Sequence, residues 1–399
     1  MRAVDTGVAD VPVDVPASGL APPAAARPVT ARAASFRVQC RATHEGCTRY
    51  RKMLMVRLLR WFGVLAGLCA CTSVFSADPA TSNPLLSKVR PWCIGRLVFD
   101  RPVSSEISSQ RYAYRGEQLL TTHEVPPDAY QAAIAAREQV MRTRLRANPV
   151  EMDRNTRHAW LEKAFSPVSD SRVFVFNEAA AKSVTLPFDT EGYLYANRTL
   201  VRTTGSIGAD ALDRVEGIYD DTFRRIRMRD NWVVPTEPGF CFDGGIVTGS
   251  STYPEEVRQS FALMPGRPAL LVIQSRNAVG DDREQPLSRT LPALRAKFDR
   301  LPGSYRLVRE GKRSIAGMDA EEVLFELRDG AVTAYRFYLL APGNAATLAQ
   351  PHTAIEMLLG VAGQSDLPPA QATSPVDEAR ALQAWDTLLN GLHARPGAI

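Results

Sequence analysis

Two short strings stand out in this 399-residue chain: Pro91-Trp92-Cys93-Ile94-Gly95-Arg96 and Gly239-Phe240-Cys241-Phe242-Asp243-Gly244-Gly245. Each holds one cysteine, and no other cysteine occurs after residue 77. Two cysteines in the body of an exported protein are natural partners, so the sequence predicts a disulfide between Cys93 and Cys241. The alternative is a pair of buried free thiols. Each string also marks the predicted start of a domain.

An export signal precedes the first string, at residues 53–77. Arg57 and Arg60 form a short basic region, and an apolar segment of secretory length follows at 61–70. Cys71 follows Leu-Cys-Ala, which resembles a bacterial lipobox. The sequence therefore predicts export, with ordinary signal cleavage and lipidation of Cys71 both left open. A lipid anchor would attach the protein to the inner or outer membrane.

The signal begins unusually late in the chain. Residues 1–52 are rich in Ala, Pro, Val and Arg without strong periodicity. A signal peptide normally stands at the N-terminus, so translation is expected to start at Met53 or Met55, with 1–52 not native. The alternative is a disordered extension. Residues 78–90 read as a polar linker.

The basic character of the chain belongs to its leader. Of 48 Lys and Arg and 43 Asp and Glu, residues 1–77 hold 10 and 4. The remainder is nearly neutral, so the charge balance does not favour nucleic-acid binding.

The rest of the chain predicts an α+β fold of two domains, each mixing sheet and helix. A short Pro- and Gly-rich stretch around 231–239 separates the N-terminal domain, 91–234, from the C-terminal domain, 235–395. Strands are expected over 94–99, 192–203 and 269–274, and a helix over 127–147. Asp329-Gly330 predicts the turn of a hairpin spanning 322–340.

A survey of catalytic motifs finds none. The sequence has no nucleophile elbow, Walker loop, dinucleotide fingerprint, Cys-x-x-Cys pair or zinc-ligand spacing. It therefore predicts no catalytic residues, no metal site, no cofactor and no enzymatic activity. The loop containing Asp281, Asp282, Arg283 and Glu284 is charged enough to contact a partner protein, although a simply solvated loop explains it as well.

The two cysteine strings carry a family resemblance. Residues 93–100 resemble the opening of the N-terminal domain of the immunity proteins against type VI secretion lipase effectors of the fourth lipase family. Residues 239–245 resemble the start of that family's C-terminal domain. The resemblance covers about 90–395 and implies a two-domain periplasmic protein that binds a cognate phospholipase effector and inhibits it, protecting the producing cell and its kin.

Two other classes stay open at this stage. One is a periplasmic hydrolase whose site is assembled from scattered residues, and the other is a structural envelope lipoprotein. For an effector-binding protein, a cleft between the two domains is the expected grip, which would place the loop Gly280 to Gln285 near the contact.

Overall fold

The computed structural model describes residues 82–147, 156–178, 185–250, 253–363 and 366–399. All of these residues belong to one compact unit, Phe75–Ile399. The predicted signal peptide, Cys71 and the predicted 1–52 extension lie outside the described residues. Strands and helices are mixed throughout the described part, which confirms the α+β class.

The described residues form twenty strands and five α-helices. The strands are β1 Val89–Ile94, β2 Leu97–Pro102, β3 Glu106–Tyr114, β4 Glu117–Thr122, β5 Leu145–Ala147, β6 Arg157–Ala159, β7 Leu161–Phe165, β8 Ser171–Phe176, β9 Phe188–Ala196, β10 Thr199–Ile207, β11 Ile226–Met228, β12 Gly239–Phe242, β13 Gly245–Thr248, β14 Glu255–Ala262, β15 Ala269–Arg276, β16 Ser304–Ile315, β17 Met318–Asp329, β18 Val332–Ala341, β19 His352–Leu359 and β20 His393–Ala394. The helices are α1 Pro127–Thr143, α2 Val215–Arg225, α3 Leu287–Phe298, α4 Pro369–Ala372 and α5 Glu378–Asn390.

Twelve strands form one antiparallel sheet in the order β16-β17-β18-β19-β15-β14-β3-β4-β10-β9-β8-β7. Its two central strands come from different halves of the chain, because β3 precedes residue 234 and β14 follows it. They pair directly, with Tyr112 opposite Val257 and Arg111 opposite Arg258. The two halves therefore share a single sheet, and the predicted domain boundary near 234 stays a prediction.

The inner face of this sheet carries the main core. Side chains alternate along a strand, so Tyr112, Val257 and Ile273 point to this face and are buried. Helices α2 and α5 pack there, through residues such as Phe223 and Trp385. The small sheets β1-β2-β20 and β11-β13-β12 lie beside the same core.

Among the described residues, helices cover the outer face only towards its two ends. At one end α1 buries its apolar side against β8 and β9, in a cluster of Tyr130, Ile134, Met141, Phe174, Phe176 and Tyr193. At the other end α3 packs on β17 and β18, in a cluster of Leu287, Leu291, Phe298, Val323, Phe325, Leu327 and Ala334. Between these helices, Ser109 and Arg111 of β3 and Arg258 of β14 are exposed on this face, whereas Ser260 of β14 is buried.

The start of the predicted boundary segment packs against the first hairpin through Trp232. Trp232 lies edge-on to Trp92, with ring centroids 4.9 Å apart. The Arg101 guanidinium lies 4.3 Å from the Trp92 ring and 4.9 Å from the Trp232 ring. These cation–π contacts tie the segment after α2 to the first hairpin of the described chain.

Two predicted single strands are hairpins in the structure. The stretch 94–99 turns at Gly95 and Arg96 between β1 and β2, and Gly95 has φ of +59°. The stretch 192–203 turns at Asn197 and Arg198, whose φ values of +51° and +60° suit a tight hairpin turn.

The other predicted elements fit better. The helix predicted over 127–147 ends at Thr143 in the structure. Residues 145–147, which were predicted to continue it, form β5 instead. The strand predicted over 269–274 is β15, near the centre of the large sheet. The hairpin predicted around Asp329-Gly330 is the β17–β18 pair.

Candidate functional site

The structure joins Cys93 on β1 to Cys241 on β12 through a disulfide, with the two Cα atoms 6.0 Å apart. Both cysteines are buried beside Ile246. Next to the bridge, Gly95 and Cys241 exchange two backbone hydrogen bonds of 3.2 and 2.8 Å. The disulfide therefore fastens the first hairpin to the start of the second half, on the inner side of the large sheet.

A buried ion pair reinforces this junction. Arg96 donates to both carboxylate oxygens of Glu255, at 2.8 and 2.7 Å, and to the backbone oxygen of Ala398. Burial raises the pKa of Glu255, against the opposing effect of Arg96. The pair is bidentate and hidden from solvent, so removing either partner would leave an uncompensated buried charge.

The C-terminal segment is fastened to the same region. The buried Arg395 donates to the backbone oxygens of Pro235, Glu237 and Gly239, at 2.6 to 2.8 Å. Burial, with a smaller contribution from Arg96, lowers the pKa of Arg395 to about 10. The Arg395 guanidinium faces the interior and holds backbone in place, so its role is to stabilise the fold.

Other buried carboxylates are also satisfied within the fold. Glu322 accepts from the Trp385 indole at 2.9 Å and from Arg313 at 3.2 Å, which fastens α5 to the sheet. Glu191 accepts from Arg137 at 2.8 Å, which fastens α1. Burial raises the pKa of Glu117, whose carboxylate accepts from a tyrosine hydroxyl in the core. Each of these groups has a structural partner.

Metal and membrane features are equally limited in the described residues. No group of three or more His, Cys, Asp or Glu side chains there has a metal-binding arrangement. Among those same residues, no helix has the length and hydropathy needed to span a membrane.

The surface that stands out is the middle of the outer face, between α1 and α3. We call it the central patch, and it comprises Arg111, Gln118, Leu120, Arg258 and Gln274. Register places these five on one face: Arg111 lies opposite Arg258, and Arg258 lies opposite Gln274. Strand β4 contributes Gln118 and Leu120 to the same face, beside β3. The patch therefore spans four adjacent strands of a rigid sheet.

The patch is open and amphipathic. Leu120 keeps 44% of its side chain exposed, although it lies within a strand in the interior of a twelve-stranded sheet. Arg111, Gln118 and Arg258 are also exposed, and Gln274 is half-buried. A sheet of this width that leaves its centre uncovered offers a flat, preorganised surface to another macromolecule.

The charged loop singled out in the sequence lies at the rim of this face. It forms a 3-10 helix, Gly280–Glu284, just before α3. Asp282 is turned inward, where it accepts from Arg276 of β15 at 2.6 and 2.9 Å. Asp281, Arg283 and Glu284 stay exposed. The structure thus brings the loop beside the central patch, with three of its four charged side chains available.

The sequence patterns did not predict the central patch. Strand β3 has four consecutive polar residues, Ser108 to Arg111, and nothing in the sequence tells which strand pairs with it. The opposition of Arg111 and Arg258 depends on that pairing.

The comparisons with known proteins agree with one another. The N-terminal domain of Tle cognate immunity protein 4 matches residues 90–224, and the C-terminal domain of the same family matches residues 233–397. No curated protein sequence matches the chain.

Solved structures match the fold. The apo immunity protein TplEi of the T6SS from Pseudomonas aeruginosa is 21% identical with a TM-score of 0.64, covering 78% of this chain and 98% of that one. A chain of the Tle4–Tli4 complex is 21% identical with a TM-score of 0.66, covering 77% and 98%. The two family matches span both halves of the described chain, and the chain therefore belongs to the Tle cognate immunity protein 4 family.

Proposed function

We propose that this protein is a periplasmic immunity protein that binds a cognate type VI secretion lipase effector and holds it inactive. The observation that carries the proposal is the match of both halves of the chain to one immunity-protein family. The structural similarity to a chain of the Tle4–Tli4 complex supports a binding function. Protection by binding requires a complementary surface on the immunity protein and no catalytic group of its own.

The central patch is the surface that we assign to this binding. It lies between α1 and α3, which project from the two ends of the outer face and come from different halves of the chain. A lipase segment lying on the patch would contact both halves at once. The exposed charges of the loop at Asp281, Arg283 and Glu284 would then border the contact.

The proposed location follows from the chemistry of the chain. A lipase that attacks a membrane from the periplasm must be stopped in the periplasm, so its inhibitor must be exported. The signal at 53–77 and the buried Cys93–Cys241 disulfide both suit an oxidising compartment. Lipidation of Cys71 would hold the inhibitor at a membrane, and acyl labelling of wild type and Cys71→Ser tests this point.

The direct test uses the cognate lipase, to be sought among the genes that neighbour the gene for this protein. We expect the purified mature protein to co-purify with that lipase and to abolish its phospholipase activity at a stoichiometric ratio. Full lipase activity at saturating protein would contradict the proposal. The same assay without lipase, on ester substrates, is the control for hydrolase activity in the protein itself.

A further inference from the structure

Two arginines in the central patch face each other, and neither has a partner among the described residues. Arg111 of β3 and Arg258 of β14 are directly opposite in the register, and both are exposed. Within the described part of the chain, neither makes an ion pair, a side-chain hydrogen bond or a cation–π contact. Glu256, the next residue on this face of β14, accepts a 3.4 Å hydrogen bond from Gln274 instead.

The other arginines on the strands of this sheet are all engaged. Those with a carboxylate partner are Arg172, Arg202, Arg276, Arg306, Arg309, Arg313 and Arg328. The remaining one, Arg336, donates to backbone oxygens of Tyr335 and Leu359. In the described strands of the sheet, Arg111 and Arg258 are thus exceptional.

The pair carries a cost for the folded protein. Like charges directly opposite on neighbouring strands destabilise a sheet. Thr and Val are enriched in strands, so stability alone would favour either of them over a pair of opposed arginines at these positions. The fold keeps both arginines at the centre of its open face, where a partner would bury them.

The chemistry of the pair indicates what that partner presents. A guanidinium offers a planar fork of donors that matches a carboxylate bidentately. Two such forks side by side, next to the exposed Leu120, fit a segment with acidic side chains flanking an apolar one. Such a contact would also relieve the repulsion between the two arginines.

We propose that Arg111 and Arg258 form an anchor that binds an acidic segment of the cognate lipase effector. The proposal rests on the proposed immunity function and adds the chemistry of the contact. It predicts that binding is steered by charge and weakens with salt, because the pair is uncompensated until the effector arrives.

The experiment measures the dissociation constant of the oxidised protein with its cognate lipase by calorimetry, at low and high salt. The variants are Arg111→Gln, Arg258→Gln and the double substitution. The control is Arg300→Gln, which removes the same charge from an exposed arginine after α3. We expect each single change to weaken binding about tenfold and the double change to flatten the salt dependence. The melting temperature of the double variant should equal or exceed that of wild type, which separates lost contact from lost folding.

Three outcomes would contradict the anchor or the function on which it rests. Wild-type affinity and salt dependence in the double variant, with R300Q also unchanged, would overturn the anchor while leaving the immunity function intact. Failure of the wild-type protein to bind or inhibit the lipase would overturn the immunity function itself. Co-sedimentation with phosphatidylglycerol vesicles that depends on Arg111 and Arg258, while lipase binding does not, would assign the pair to a membrane surface and contradict the proposal.

Discussion

Strands β3 and β14 have two faces that differ sharply. On the inner face, Gln259 is fully buried, donates to the Tyr112 hydroxyl at 2.5 Å and accepts from the Trp92 indole at 3.1 Å. On the outer face, one residue away along each strand, Arg111 and Arg258 stand exposed and unpartnered among the described residues. The inner face is where the two halves of the chain are locked together. The outer face keeps Arg111 and Arg258 exposed. We therefore attribute stability to the inner side of these two strands and binding to their outer side.

The largest effect is expected from the disulfide on the inner side. Replacing both Cys93 and Cys241 by Ala releases a loop with a sequence separation of 148. Chain entropy puts the loss of unfolding free energy at up to about 5 kcal/mol. Urea denaturation of the double variant and of wild type, both in the absence of reductant, measures it. A loss below about 1 kcal/mol would mean that the remaining inner contacts hold the halves together alone.

The buried ion pair provides the next test. Glu255→Gln leaves the Arg96 cation buried without its counter-charge, and we expect a loss of about 3 kcal/mol in unfolding free energy. Glu256→Gln is the matched control, because the neighbouring residue points to the outer face, and it should change stability by less than about 0.5 kcal/mol. Equal effects in the two variants would contradict the division between the faces.

A smaller effect, dependent on pH, is expected at the rim of the outer face. Burial acts against ionisation of Asp282, but the hydrogen bonds from Arg276 and from the Val279 backbone outweigh it and lower its pKa. The stability gained is therefore complete above the unfolded pKa of about 4 and is lost as pH falls through the lower folded pKa.

Since Arg276 is about one third exposed, Asp282→Asn should cost only about 1 kcal/mol at pH 7. Unfolding of wild type and variant from pH 7 to pH 3 measures the difference. We expect the two curves to converge on acidification, and a constant gap would show that the charge of Asp282 is not responsible.

The smallest effect on stability is expected in the central patch. Leu120→Ser should change the unfolding free energy by less than about 0.5 kcal/mol, because much of its side chain is already exposed. The same substitution should weaken lipase binding severalfold. Leu119→Ser, at the adjacent buried position, should destabilise the fold instead, and thermal melts beside binding curves distinguish the two. Lipase binding that is unaffected by L120S would move the contact away from the patch.

The sequence predicted best those features that residues adjacent in the chain encode. The Asp329-Gly330 turn and the apolar run of β15 are encoded by adjacent residues, and both were predicted well. The turn at Gly95-Arg96 was missed because a short apolar stretch on both sides reads as one strand. The cysteine strings carried the family resemblance, which the family matches confirm.

The candidate site was beyond such local signals. Arg111 and Arg258 lie far apart in the sequence, and only the β3–β14 register places them opposite each other. Neither residue is unusual within its own segment. The exposed centre of the sheet likewise depends on where α1 and α3 pack, which the amphipathic pattern of a helix does not specify.

The most direct test of the binding surface is arginine labelling with phenylglyoxal, read by mass spectrometry, in the free protein and in its complex with the lipase. We predict that Arg111 and Arg258 react readily in the free protein and become protected in the complex, while Arg300 reacts equally in both. Continued labelling of Arg111 and Arg258 in a stoichiometric, inhibited complex would contradict the assignment of the outer face to effector binding.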